Sequence, residues 1–214
     1  MPSDLSTFPR APPTTIVVAT ATVNVNMALM GTFEHPALRR ITADEAMRMV
    51  DAGILGEHEP VELLDGVLVE MSPQGQKHVV ATTRLAERLR GIYAQTAQVL
   101  EEKPLATGPH DLPEPDVSVV RGRIEDYSEL PTGLDAILVA EVCWSSQRID
   151  RRKASVYALG GVEVYWLVDL AARTLELRTT PADGAYQVTR VLGEDDVIEV
   201  PESGQRLTVR DLLP

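Results

Sequence analysis

The sequence predicts an α/β domain, a central mixed β-sheet flanked by helices. One long segment, Gln76 to about Ala97, carries apolar residues at helical spacing, with Val79, Val80, Thr83, Ala86, Leu89 and Tyr93 on its stripe. Apolar runs of strand length follow at 98–103, 115–120, 136–142 and 162–169, and Asp150 to Leu159 between the last two reads as a helix. The elements do not alternate strand and helix regularly, so the sheet is mixed rather than doubly wound. The chain has 214 residues, 44% of them apolar and 24% charged, which suits one domain with a real core. Aromatics are only 4%, so aliphatic side chains must fill most of that core.

Taken in order, residues 1–31 are expected to be a disordered N-terminal extension, and 32–214 a single domain. Pro2, Pro9, Pro12 and Pro13 break regularity there. Arg10 and the Ile16–Met30 run hint at a secretory signal, but Thr20, Thr22, Asn24 and Asn26 interrupt its apolar character, and Met27 or Met30 is an alternative start. Thr42 with Glu45 fits a capping box for a short helix running to about Asp51, and Gly53 is a stop. Val61 to Met71 reads as a hairpin around Asp65-Gly66, a pair that supplies the positive φ angles of a type I′ turn. Near the C-terminus, strands at 173–179 and 185–192 are expected to close a second hairpin around Ala182-Asp183-Gly184, and Gly160-Gly161 ends the helix before them.

Composition bounds the function. No run of about 18 apolar residues is present, so no membrane partner is expected. Cys143 is the sole cysteine, which excludes an internal disulfide and a thiolate zinc cluster and suits a reducing cytoplasm. The net charge of −12 works against binding phosphates, but one run, Arg148, Asp150, Arg151, Arg152 and Lys153, sets four cations against one anion.

Three acids sit where acids are awkward. Glu62 lies between Val61 and Leu63, Asp116 opens Val117-Ser118-Val119-Val120, and Glu141 ends the apolar stretch Ala136-Ile-Leu-Val-Ala. A carboxylate at the end of a buried strand costs several kcal/mol unless something pairs with it. A hard divalent cation is a good partner, since Mg²⁺ prefers oxygen ligands. Taken singly, each acid reads more simply as a solvated strand end or one half of an ion pair, and Lys153 as a solvated helix face.

A longer series of residues joins them. Val61-Glu-Leu-Leu-Asp-Gly-Val-Leu-Val-Glu-Met-Ser-Pro is followed by His78, Glu114-Pro-Asp-Val-Ser-Val-Val, Leu138-Val-Ala-Glu-Val, Asp150-Arg-Arg-Lys-Ala-Ser-Val-Tyr and Gly161-Val-Glu-Val-Tyr-Trp-Leu-Val-Asp. Over roughly residues 40–170 the series resembles the Uma2-like branch of the PD-(D/E)xK nucleases. The resemblance implies a restriction endonuclease-like fold and Mg²⁺- or Mn²⁺-dependent endonuclease activity, with DNA the default nucleic-acid partner and a homodimer left open. It also implies roles. Asp116, Glu141 and the Val142 carbonyl would ligate the metal, with Glu62 beside it directly or through a water, and Lys153 would be the catalytic lysine. His78, Asp150 and Tyr157 would support them, and Arg148, Arg151 and Arg152 would meet phosphates. Cleavage by a metal-activated water requires no covalent intermediate, and Cys143 reads as packing.

One segment departs from the family pattern. Where a Leu-Ser-Pro-Ser-like turn is usual, this chain has Cys143-Trp144-Ser145-Ser146, which bears on substrate entry, and Trp144 is a candidate platform for a base. Two rival readings stay open: a non-catalytic interaction protein that keeps the fold, and a metal hydrolase acting on a small phosphorylated molecule. The second fits the acidity but lacks a phosphate-cradling glycine loop.

Overall fold

The apolar runs assemble into a six-stranded sheet. The computed structural model describes residues 39–56, 58–144 and 147–214, the side chains of 147–151 excepted. Arg39–Pro214 form one compact unit. The expected extension, 1–31, and its boundary lie outside the described residues.

Helix α1 (Ala43–Asp51) begins with the predicted capping box: Glu45 N donates to Thr42 Oγ1 and Thr42 N to Glu45 Oε2, both at 3.1 Å. Gly53 follows with φ +68. Strands β1 (Val61–Leu64) and β2 (Val67–Glu70) pair antiparallel, with Leu64 opposite Val67. Asp65 and Gly66 between them have φ of 53° and 75°, as a type I′ turn requires. The hairpin is tied to the body by a bridge between Leu63 and Leu112, and Ala46, Leu63 and Leu112 form a small core of their own.

Helix α2 (Gln76–Tyr93) stops short of the expected Ala97, because Ala97 already opens β3 (Ala97–Glu101). Its buried stripe also differs from the expected one. Ala81, Thr82, Leu85, Ala86, Leu89 and Tyr93 are buried, whereas Val79 is 47% exposed. Size explains the shift: Ala81, Thr82 and Ala86 let the helix approach the sheet closely, and a stripe through those positions brings His78 inward. After β3 come β4 (Val117–Arg121), β5 (Ala136–Cys143), α3 (Gln147–Leu159) and β6 (Val164–Asp169). Next are β7 (Thr174–Ala182) and β8 (Ala185–Gly193), joined through Asp183 and Gly184 at φ 51° and 73°. The sheet order is β3-β4-β5-β6-β7-β8, antiparallel throughout except for β5 and β6. That parallel pair needs a crossover, and α3 supplies it, starting at Gln147 rather than the expected Asp150.

Both sheet faces are covered. Leu138, Ala140 and Val142 of β5 and Trp166 and Val168 of β6 pack with α2, while Val139, Cys143, Tyr165 and Leu167 pack with Ala154 and Tyr157 of α3. A second small hairpin, β9 (Val197–Glu199) and β10 (Arg206–Thr208), leads to a 3-10 turn at Val209–Leu212. Val209, Leu212 and Leu213 complete the α2 side of the core. Among the described residues no helix is long and apolar enough to cross a membrane.

Candidate active site

Strand register brings the acids together. Val117 of β4 pairs with Ala140 of β5, and one step further places Asp116 opposite Glu141, just beyond the end of that ladder. Side chains alternate along a strand, so both acids share the α3 face with Val139 and Cys143. Glu141 does not end its strand as expected: β5 continues through Cys143, which holds Glu141 on rigid backbone. Burial is deep, with Glu62 4%, Asp116 8%, Glu141 3% and Lys153 6% exposed.

Asp116 is held from two sides. Its Oδ2 accepts from Val142 N at 2.7 Å and lies 3.1 Å from His78 Nε2 in the first turn of α2. Thr82, one turn further on, places its hydroxyl 3.4 Å from His78 Nδ1. Glu141 Oε2 accepts from Asp116 N at 3.4 Å, while Oε1 takes Tyr157 OH at 2.5 Å and Lys153 Nζ at 3.2 Å. Lys153 and Tyr157 are four residues apart on α3, hence on one helix face. Glu62 enters through Lys153, with Oε2 3.0 Å from Nζ, and that same oxygen accepts from Glu114 N at 3.4 Å.

The electrostatics follow from three carboxylates crowded in a dry place, two of which, Glu62 and Glu141, share the Lys153 ammonium. Burial is the largest influence on Glu141 and pushes its pKa up to about 8, with Lys153 opposing and Asp116 and Glu62 adding to the rise. Burial disfavours the Lys153 charge, but Glu141 and Glu62 outweigh it and keep the ammonium protonated well above its ordinary range. Burial likewise opposes a charge on His78, yet the hydrogen bond and charge of Asp116 raise its pKa. Tyr157 is held neutral first by burial and then by Glu141.

The expected residues thus meet in one place where their side chains are described: Glu62, His78, Asp116, Glu141, Lys153 and Tyr157. Arg152 is exposed on α3, and the side chains of Arg148, Asp150 and Arg151 lie outside the described residues. Sequence reading missed Thr82, whose signal was its place four residues after His78. It also missed Lys77, whose ammonium lies 4.2 Å from the centre of the Trp144 ring.

As metal ligands, the groups present are hard oxygen donors. Oδ2 of Asp116 is committed to His78 and Val142 N, and among the described residues no donor meets its Oδ1. In an extended strand the N–H and C=O of one residue point to the same side. Since Val142 N reaches Asp116, the Val142 carbonyl faces that side too, past the β4 ladder. Among the described residues no three His, Cys, Asp or Glu side chains converge as a ready-made cage. The physical reason is Lys153, which stands between Glu62 and Glu141.

The Uma2 family, described as "Putative restriction endonuclease", matches residues 45–210. The chain belongs to the Uma2 family. A solved structure similar to this Uma2 chain is a "putative nuclease belonging to DUF820" from Anabaena variabilis, 22% identical, with a TM-score of 0.64 over 80% of this chain and 97% of that one. The shared architecture is a restriction endonuclease-like fold, with the mixed sheet between helices. A search of curated proteins returns no match.

Proposed function

We propose that this Uma2 chain is an endonuclease that hydrolyses phosphodiester bonds, with DNA the first substrate and Mg²⁺ or Mn²⁺ the cofactor. The observation that carries the reading is the buried meeting of Asp116 with Glu141 and of Glu141 with Glu62 across the ammonium of Lys153. The donors gathered there are the oxygens a divalent cation prefers, and such an ion would favour the ionised form of Glu141, which burial disfavours. Asp116, Glu141 and the Val142 carbonyl would hold it. When bound, the ion supplies Lewis-acid charge at a phosphate oxygen and acidifies a water.

The chain's own groups do the positioning. His78 and Val142 N fix the Asp116 carboxylate, and Tyr157 fixes Glu141. Lys153 stays charged, so it acts as a fixed donor that orients the attacking water or meets charge growing on the phosphate, not as a base. Arg152 on the surface of α3, with Arg148 and Arg151 of the same run, would take flanking phosphates.

The test is cleavage of supercoiled and single-stranded circular DNA by the purified chain in Mg²⁺, Mn²⁺ or EDTA. Metal-dependent cleavage lost in both Asp116→Asn and Lys153→Ala supports the reading, and cleavage surviving in both overturns the site. A second reading, a non-catalytic interaction protein that keeps the fold, draws on Lys153 already lying between two of the acids. Absence of cleavage together with no Mg²⁺ or Mn²⁺ binding by calorimetry would favour it.

A further inference from the structure

Trp144 is out of character for its surroundings. It follows directly on β5, whose eight residues are all buried, yet 48% of it is exposed. It stands two residues beyond Val142 in sequence, and against its ring lies Lys77, whose chain neighbour His78 meets Asp116. Consecutive residues on a helix point about 100° apart, so His78 turns in to Asp116 while Lys77 projects outward, 4.2 Å from the ring centre. Among the described residues no carboxylate lies within ion-pair distance of Lys77, and its charge is directed to the indole.

We propose that Trp144 and Lys77 form a nucleotide platform, on which an unpaired base stacks against the indole while the ammonium meets the adjoining phosphate. The inference rests on the nuclease reading and narrows its substrate to single-stranded or locally unpaired nucleic acid. In a duplex both faces of each base are covered by its neighbours, and only an unpaired base offers a face to an aromatic ring. The charge of the chain points the same way. At −12 it meets a single strand, with its lower charge density, at less electrostatic cost than a duplex. Lys77 lies over the indole at 4.2 Å while 48% of Trp144 stays exposed to solvent.

The chain has a built-in reporter for the test. Trp144 and Trp166 are its two tryptophans, and Trp166 is fully buried, so quenching by added nucleic acid reads Trp144. The full chain in Ca²⁺ is titrated with oligo(dT) and with a hairpin duplex, following fluorescence and binding separately. Oligo(dT) is expected to quench. Trp144→Ala should bind it about tenfold more weakly, Trp144→Phe should recover most of the loss, and neither should alter duplex affinity appreciably. Lys77→Ala should weaken oligo(dT) binding and flatten its salt dependence. Unchanged oligo(dT) affinity in Trp144→Ala, or an equal loss on duplex, overturns the platform. If the wild type nonetheless cleaves DNA with metal, only the platform falls and the nuclease reading stands. If it neither binds nor cleaves nucleic acid of either form, both fall together.

Discussion

The two faces of β5 are built on opposite terms. Toward α2 it presents Leu138, Ala140 and Val142 to an apolar layer completed by Trp166, Val168 and the C-terminal Leu212. Toward α3 it presents Val139, Glu141 and Cys143, and the middle position meets a lysine and a tyrosine rather than hydrocarbon. Burying Leu138 stabilises the fold by roughly 1.5–3 kcal/mol. Burying Glu141 costs several kcal/mol before its partners offset it. A fold gains nothing from that exchange for its own sake. The difference separates a face that only stabilises from the face to which the proposed chemistry is assigned, and it gives substitutions on each a different expected readout.

The largest expected effect is on the α3 face. Lys153→Ala removes the one ammonium that Glu62 and Glu141 share, so cleavage should fall at least a hundredfold, the scale of losing a preorganised charge. A lysine on a solvated helix face could be lost without harm to folding. Burial of the pair argues otherwise, because two carboxylates left uncompensated cost about 3–5 kcal/mol. Added Mg²⁺ should then recover more stability in the variant than in the wild type, as thermal melts with and without metal will show. A variant as stable as wild type without metal would mean that the pair is solvated.

Next comes the scaffold face. Leu138→Ala should destabilise by about 2–5 kcal/mol, since Leu138 is fully buried and its neighbours cannot close the gap completely. Activity per folded molecule should change little. A large loss of activity at full folding would break the division between the faces.

Some of this was legible from residues alone. The capping box at Thr42, both Asp-Gly turns and all six strands of the main sheet follow from local chemistry, which needs no partner to be recognised. The buried stripe of α2 followed only in its second half: Ala86, Leu89 and Tyr93 are buried as expected, but Val79 looks like core until packing on the sheet selects Ala81 and Thr82 instead. The hairpin β9–β10 was also missed, its three-residue strands being too short for a period to appear. In the site, the acids stood out as charges in apolar strands. Their common face depends on the β4–β5 register, which no single segment encodes. Joining Lys153 to them took the resemblance to the family, and the Lys77–Trp144 contact emerges only when α2 and β5 are packed.

A smaller effect concerns protons on the scaffold face. Tyr93 ends α2 with its hydroxyl donating to the Pro201 carbonyl, and burial, helped by the charge of Glu202, pushes its pKa up to about 12. The folded state therefore holds this proton more tightly than the unfolded chain, whose tyrosine titrates near 10. The contribution is fully present below pH 10 and is lost as pH rises toward 12. Tyr93→Phe should lose part of the alkaline sensitivity between pH 10 and 12 in denaturant melts. An identical pH profile would show that Tyr93 does not titrate with unfolding.

The smallest expected effect tests whether the α2 side contributes anything to chemistry beyond support. Thr82→Val keeps the volume of a buried residue and deletes only the hydroxyl 3.4 Å from His78 Nδ1. Such a contact contributes about 0.5–1.5 kcal/mol, so the melting temperature should shift by only a few degrees. Its consequence lies in orientation: with Nδ1 unpartnered, the ring loses a restraint on its angle and tautomer, and Asp116 Oδ2 loses a fixed neighbour. Cleavage should drop severalfold, and Thr82→Ser, which restores the hydroxyl, should recover it. Rescue of activity by Ser without a matching recovery of stability would separate positioning from packing at this residue. Equal activity in Val and Ser variants would return Thr82 to the scaffold and leave the division between the faces complete.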